Sequence, residues 1–320
     1  MGDASLIPSL PYNSVDFDKP EEWLDQLKTE GFTVIKSVAN AEEVENAKNL
    51  LWKWLEDQGT GILRNDPSTW TDEAWPEWPG YKKYGSCKQE GAAHQDAAWY
   101  LRGLPNLKFV FASIYNTDDL IVSYDGIILW RSWKDDELRR PSSSRLHVDQ
   151  NPAFRPGFQC VQGMLPMYPV TPGVGGTVLV PRSHLQQENL LKLYPHWAKV
   201  KKDFCVLDKG IRKDPLQNQA VLIPLEPGDL LLWDSRLVHA GSVGACSDPS
   251  ELARGSLCVC MGPRERASQE VLQKRREALD EGWGFSHWPW EARGNMGAVS
   301  EPNKARYHHP NLTEEQWELV

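Results

Sequence analysis

Glu226-Pro227-Gly228-Asp229-Leu230-Leu231-Leu232-Trp233-Asp234 decides the fold. Pro-Gly-Asp marks a turn, and the apolar run behind it is short enough for a buried strand rather than a helix. From residue 119 to about 262 the same texture repeats. Leu120 to Val122, Gly126 to Trp130, Arg145 to Asp149, Phe158 to Pro166, Gly176 to Val180, Ala220 to Ile223 and Gly255 to Met261 all read as short strands. Pro, Gly and Ser separate them, which is the pattern of a sandwich or barrel.

The N-terminal hundred residues read differently. Pro20 to Leu27 is a short amphipathic segment, and Gly31 to Ile35 a strand. Asn40 caps a predicted helix through Glu56, with Val44, Ala47, Leu50, Leu51 and Trp54 at helical spacing. Residues 60 to 92, rich in Pro, Gly, Trp and Asp, read as a long structured loop, and 94 to 115 as one helix. Asn189 to Tyr194 and Ser268 to Glu281 are further helices, and a last one starts near Thr313 with Gln316 completing a capping box. The fold class is therefore α+β, with a helical N-terminal layer and C-terminal helices on an antiparallel β core. No repeat or low-complexity linker divides the chain, so one domain over 1–320 is expected.

The 320 residues carry 44 acidic and 35 basic side chains, a net charge of −9. That balance argues against a nucleic-acid groove. No run approaches the roughly 18 apolar residues of a membrane-spanning helix, so no membrane partner is expected. Met1 to Pro20 is acidic with no apolar core, so no secretory leader and a cytoplasmic location are expected. Six cysteines are then free thiols, and Cys258-x-Cys260 is a buried structural pair on a strand rather than a zinc site. Trp is in excess at 15, against 9 Tyr and 8 Phe, so the chain needs either an aromatic core or an aromatic-lined cavity.

The chemistry concentrates in Leu146-His147-Val148-Asp149. On a strand, positions i and i+2 share a face, so His147 and Asp149 project together as two adjacent metal ligands. Alone, His-x-Asp is weak. His239, in the loop after the Leu230 strand, supplies a third ligand. Two His and one carboxylate on one side of a metal leave coordination positions open, the facial triad of non-heme iron oxygenases. Arg254 and Ser256 share a face of the next strand, and a guanidinium beside a hydroxyl suits a carboxylate. No protein carboxylate is evident for Arg254, which points to an external one.

These residues resemble the Fe(II)/2-oxoglutarate-dependent dioxygenases, and within them the phytanoyl-CoA dioxygenase-like family. The resemblance is carried by His147-Val148-Asp149, by Gly175-Gly176-Thr177-Val178-Leu179-Val180-Pro181-Arg182-Ser183-His184, by Pro227-Gly228-Asp229 leading to His239, and by Arg254-Gly255-Ser256. It implies a double-stranded β-helix, a cupin-like jelly roll, over the β core. It implies Fe(II) on His147, Asp149 and His239, and 2-oxoglutarate held by Arg254 with Ser256 assisting and Gln162 nearby. It implies O2 as oxidant, a small-molecule substrate oxidised at an unactivated C–H bond, and release of succinate and CO2. The interval from His239 to Arg254 exceeds the family's usual dozen residues, so a loop insertion is expected over Gly241 to Glu251. Asp149 argues against a halogenase, which replaces the carboxylate with a small residue.

Two rivals remain at this level: a cupin-like metal enzyme without 2-oxoglutarate, and a non-catalytic binding protein on the same scaffold. The lesser signals read as follows. His184 belongs to a turn, and His94, His196, His287, His308 and His309 are packing or surface residues. Trp99 and Arg102 share a helix face and pack the helical layer or line the pocket; Ser123 and Asp125 share a strand face just ahead of the core, each either a turn cap or in reach of the co-substrate. Tyr124, Trp130 and Trp133 read as core. Lys134 to Ser144 is expected as a mobile loop over the mouth; most tryptophans fall outside the iron-holding strands, in segments able to wall that mouth, and which rings face it is left open.

Overall fold

The computed structural model describes residues 8, 13–75, 84–88, 91–207, 216–245, 251–293 and 307–320. Among the described residues fourteen strands run in chain order: β1 Val15–Asp16, β2 Phe32–Lys36, β3 Ser86–Cys87, β4 Leu120–Val122, β5 Ile127–Trp130, β6 His147–Val148, β7 Val161–Pro166, β8 Gly175–Leu179, β9 Cys205–Val206, β10 Val221–Leu222, β11 Leu230–Asp234, β12 His239–Val243, β13 Arg254–Val259 and β14 Met261–Pro263. They make a seven-stranded sheet in the order β1-β2-β11-β7-β13-β5-β3, a five-stranded sheet β10-β8-β12-β6-β9, and the pair β14-β4. All pairings are antiparallel except β1 with β2. The fold is mixed α+β. The seven-stranded sheet also takes in three strands from before residue 119, so the core extends beyond the span the strand texture suggested.

The alternation along β11 explains its unbroken apolar run. Leu230 and Leu232 pack into the cluster that holds Trp23, Leu27, Ala47 and Leu51 of the N-terminal helices. Leu231 and Trp233 point the other way, into a cluster shared with Leu179 and Val221 of the five-stranded sheet. The strand is buried on both faces, and each leucine contributes about 1.5–3 kcal/mol of burial. The same parity holds on β7 and β13: Val161, Leu165, Leu257 and Val259 face the helices, while Met164 and Cys258 face the second sheet.

Among the described residues there are seven α-helices: Pro20–Glu30, Ala41–Glu56, Asp96–Arg102, Pro105–Tyr115, Gln187–Leu193, Gln269–Glu281 and Glu314–Trp317. The Asn40 and Thr313 capping boxes both form. The single helix expected over 94–115 is two, because Pro105 cannot continue the first and instead opens the second. Before β11, Gly228 takes φ +88° where a side chain would strike the Ala39 carbonyl. Asp229 ties this turn by accepting the Ser37 and Glu226 N–H groups at 3.1 and 3.0 Å. No helix among the described residues is long and apolar enough to cross a membrane.

The tryptophans resolve mostly as core. Trp23, Trp52, Trp70, Trp75 and Trp99 are buried in the helical layer, and Trp288 packs with Cys160 and Cys260. Trp78 lies outside the described residues.

Candidate metal centre and its cavity

β12 lies between β8 and β6, and His239 is the direct cross-strand partner of His147. Their ring centroids are 4.3 Å apart. Asp149 is not on the strand: β6 ends at Val148, and the chain bends where the Asp149 N–H is taken by the Ser235 carbonyl at 3.2 Å. The bend still delivers the carboxylate. Oδ2 lies 3.2 Å from His239 Nε2 and Oδ1 lies 3.8 Å from His147 Nε2. Among the described residues these three are the one His/Cys/Asp/Glu group placed to share an ion, with ligand atoms all within 4.8 Å.

Both imidazoles are oriented by their own backbone. His147 Nδ1 meets the Arg145 carbonyl at 2.7 Å and His239 Nδ1 meets the Leu237 carbonyl at 2.9 Å. With Nδ1–H donated, each Nε2 lone pair faces the carboxylate, the tautomer a metal requires. Burial, reinforced by His239, lowers His147 to a pKa of about 4, so it is neutral at neutral pH. Burial would raise Asp149, but His147 and His239 outweigh it and hold the carboxyl well below its usual range. Cis ligands at about 2.1 Å from an octahedral ion stand about 3 Å apart. The His239–Asp149 pair already meets that spacing, so the donor set fits a divalent metal.

Gln162 on β7 donates through Nε2 to Asp149 Oδ2 at 3.1 Å. The family resemblance set it near a co-substrate; its contact here is with the carboxylate. On β13 the Arg254 side chain is buried, with Nε 3.5 Å from Ser256 Oγ, Nη2 2.8 Å from Met164 Sδ, and its guanidinium 4.6 Å from the Trp130 ring centre. Burial lowers its pKa to about 10. No carboxylate among the described residues pairs with it.

The two histidines of the triad and the arginine open on one cavity of about 280 Å³, walled by His147, His239, Gln162, Met164, Trp233 and Arg254 among others, and Asp149 sits behind Gln162 and the two histidines. Trp130 and Trp233, both strand residues, are on this wall, which answers for them the question of which rings face the cavity. Cys258, expected as purely structural, also lines it; burial raises its thiol to about 12. Lys134 to Ser144 reaches the cavity through Ser142 and Ser144, and it is tied down there: Gly241 N–H donates to Ser144 Oγ at 2.7 Å and Val243 N–H to Ser143 Oγ at 3.0 Å. Gly241 to Val243, expected as loop, is strand β12, and 246–250 lie outside the described residues.

Other expectations separate cleanly. His184 is a buried turn residue whose Nε2 meets the Lys28 carbonyl at 3.1 Å. Arg102 is buried with Trp99 and binds the Ala93 and Asp125 carbonyls at 2.7 and 2.6 Å, so the pair packs the helical layer. Ser123 and Asp125 follow β4 rather than lying on it; only Asp125 reaches the cavity, paired with Lys88 at 2.5 Å. Lys88 was missed, because it follows a two-residue strand inside a segment without periodicity.

Residues 136–243 match the family model for phytanoyl-CoA dioxygenase (PhyH). The chain resembles that family, as its motifs implied. It is 29% identical over 294 residues to Ava biosynthesis cluster protein O of Aspergillus versicolor, covering 86% of this chain and 89% of that one. Among solved structures it is similar to GlcNAc Inducible Gene 2 of Candida albicans, with a TM-score of 0.57 at 14% identity over 99% of this chain and 84% of that one. It is also similar to the non-heme alpha-ketoglutarate-dependent carbocyclase SnoK of nogalamycin biosynthesis, with a TM-score of 0.50 at 13% identity over 78% and 87%. At such identities these structures speak for the fold.

Proposed function

We propose that the protein is an Fe(II)- and 2-oxoglutarate-dependent oxygenase that oxidises an unactivated C–H bond of a small molecule, with release of succinate and CO2. The observation that carries this reading is Arg254. A buried guanidinium without a carboxylate partner is costly unless an anion completes it. It faces the same cavity as the two histidines of a triad suited to a divalent metal. A dicarboxylic 2-oxo acid satisfies both, with one end on the metal and the other on Arg254 and Ser256. The PhyH match over 136–243 points the same way.

On this reading His147, Asp149 and His239 hold the iron, which supplies O2 activation coupled to decarboxylation of the 2-oxo acid. Gln162 steadies the Asp149 carboxylate. Arg254 and Ser256 orient the co-substrate, and Trp130, Met164 and Trp233 keep the cavity dry, which strengthens each polar contact inside it. We read the two facing sheets as a double-stranded β-helix and the chain as one oxygenase domain. The free cysteines among the described residues suit a reducing compartment such as the cytoplasm. Hydroxylation is one outcome; SnoK, a carbocyclase, is a structural neighbour, so ring closure is another.

The test is succinate release by purified protein with Fe(II), 2-oxoglutarate and ascorbate. Turnover should vanish in His147→Ala and in Asp149→Ala. Undiminished turnover in both variants would overturn the assignment.

A further inference from the structure

Two charged side chains of the cavity wall have no part in the scheme above. Lys88 follows β3 and Asp125 precedes β5, and the antiparallel register Cys87↔Ile127 brings the two chain segments alongside each other. Lys88 Nζ lies 2.5 Å from an Asp125 Oδ1 that also accepts the Gly126 N–H at 2.9 Å. The lysine side chain is 28% exposed and the aspartate 7%, and both line the cavity. Among the described residues Lys88 has no other hydrogen-bond partner, and nothing donates to Asp125 Oδ2.

A buried ion pair of this kind is poor as a stabilising device, because desolvating both charges offsets most of their attraction. Its free groups are what the cavity gains: one carboxylate oxygen that accepts and two ammonium hydrogens that donate. The pair is neutral overall. An entering anion meets the Asp125 charge and an entering cation meets the Lys88 charge. Ile128, Trp130, Met164, Trp233 and Val259 make the surrounding wall apolar. Lys88 also feels the Asp149 charge, so a group held by the pair sits within electrostatic reach of the metal centre.

We propose that Lys88 and Asp125 form a substrate-recognition subsite for a neutral group that both donates and accepts hydrogen bonds, an amide or a hydroxyl, carried on an otherwise apolar molecule. This names the substrate class for the oxygenase reading above and rests on it. The cavity, at about 280 Å³, lies at the small end of ligand pockets of about 300–1,000 Å³. With a co-substrate inside, it admits one ring-sized portion of a substrate at a time.

The probes are cyclohexanecarboxamide, its methyl ester counterpart, cyclohexanecarboxylate and cyclohexylmethylammonium. All present similar shapes with different charge and donor content. Each is titrated by saturation-transfer NMR against protein loaded with Mn(II) and 2-oxoglutarate. The amide should bind about tenfold more tightly than the other three, the size of one charge-assisted hydrogen bond. Asp125→Asn exposes the ammonium and should shift preference about tenfold toward the carboxylate. Lys88→Met exposes the carboxylate and should shift it toward the ammonium probe, while Lys88→Arg keeps the amide preference.

Equal binding of amide and carboxylate by the wild type would overturn the proposal. So would variants that weaken every probe alike, the signature of a structural role. If Lys88→Met abolished the rise in melting temperature that 2-oxoglutarate causes, the pair would belong to the co-substrate and the proposal would fall. If 2-oxoglutarate failed to stabilise even the wild type, the oxygenase reading would fall; the probe series run with Mn(II) alone then still reads the pair's preference.

Discussion

His147 and His239 are direct cross-strand partners whose Nδ1 atoms are each held by the carbonyl two residues earlier in the chain. One register pair therefore sets two donor nitrogens, and a one-residue slip would turn both away. Asp149 arrives by a bend rather than by strand alternation, so it closes the triad from a separate backbone constraint. Mn(II) should raise the melting temperature of the wild type by mass action, by about 2.7 kcal/mol of stability at a hundredfold excess over Kd. Asp149→Ala should show no such rise. A full rise in that variant, followed by differential scanning fluorimetry, would count against the triad.

Gln162 Nε2 donates to Asp149 Oδ2, the oxygen that also faces His239. Partners of metal-binding carboxylates commonly contribute 10–100-fold to affinity or activity. Gln162→Leu should weaken Mn(II) binding by about tenfold in a calorimetric titration while the fold is kept. Unaltered metal affinity with a raised KM for 2-oxoglutarate would return Gln162 to the co-substrate role that the family resemblance implied.

Without an anion, Arg254 is a buried charge whose partners among the described residues are a thioether, a hydroxyl and a ring face. Arg254→Met should therefore make the ligand-free protein more stable, by about 1–3 kcal/mol in urea unfolding, since exchanging buried charge for apolar volume is often favourable. The same variant should lose stabilisation by 2-oxoglutarate. If it were destabilised by several kcal/mol instead, Arg254 would have a structural partner.

The legible parts of this chain share a cause. β11, the Asn40 capping box and the His-x-Asp motif are local patterns, each readable within a few residues. The parts that were not legible depend on contacts distant in sequence. β6 stops at Val148 because Ser235 takes the next N–H, a contact that no window around residue 149 contains. Lys88 reaches the cavity because two-residue β3 pairs with β5, a strand too short to have a period. The tryptophans were placed by segment rather than by facing. Trp233 lines the cavity because β11 is buried on both sides, and its parity, which was readable, puts it opposite Leu230 and Leu232.

The Asn40 capping box separates stability from chemistry. Its side chain accepts the Glu43 N–H at 3.0 Å and Glu43 returns a bond to the Asn40 N–H at 2.7 Å. Asn40→Ala should cost about 1 kcal/mol in urea unfolding. Succinate production per folded molecule should be unchanged. A fall in turnover at constant stability would mean that the Ala41–Glu56 helix positions the site directly.

His94 makes the stability depend on pH in a direction that can be worked out. It is buried, its Nε2 meets the Trp283 carbonyl at 2.8 Å, and burial together with the Arg102 charge lowers its pKa from 6.5 to about 3. Between those values the unfolded chain holds a proton that the folded chain refuses. Stability is therefore unaffected by this group above pH 6.5, falls as the pH drops toward 3, and does so by at most about 1.4 kcal/mol per pH unit. His147, lowered to about 4, acts in the same direction over a narrower window. Gln in place of His94 keeps a donor for the Trp283 carbonyl and cannot titrate. Urea unfolding of the wild type and His94→Gln at pH 7.5 and pH 4.5 should give a smaller acid loss in the variant. Equal losses would place His94 in contact with water in the folded protein.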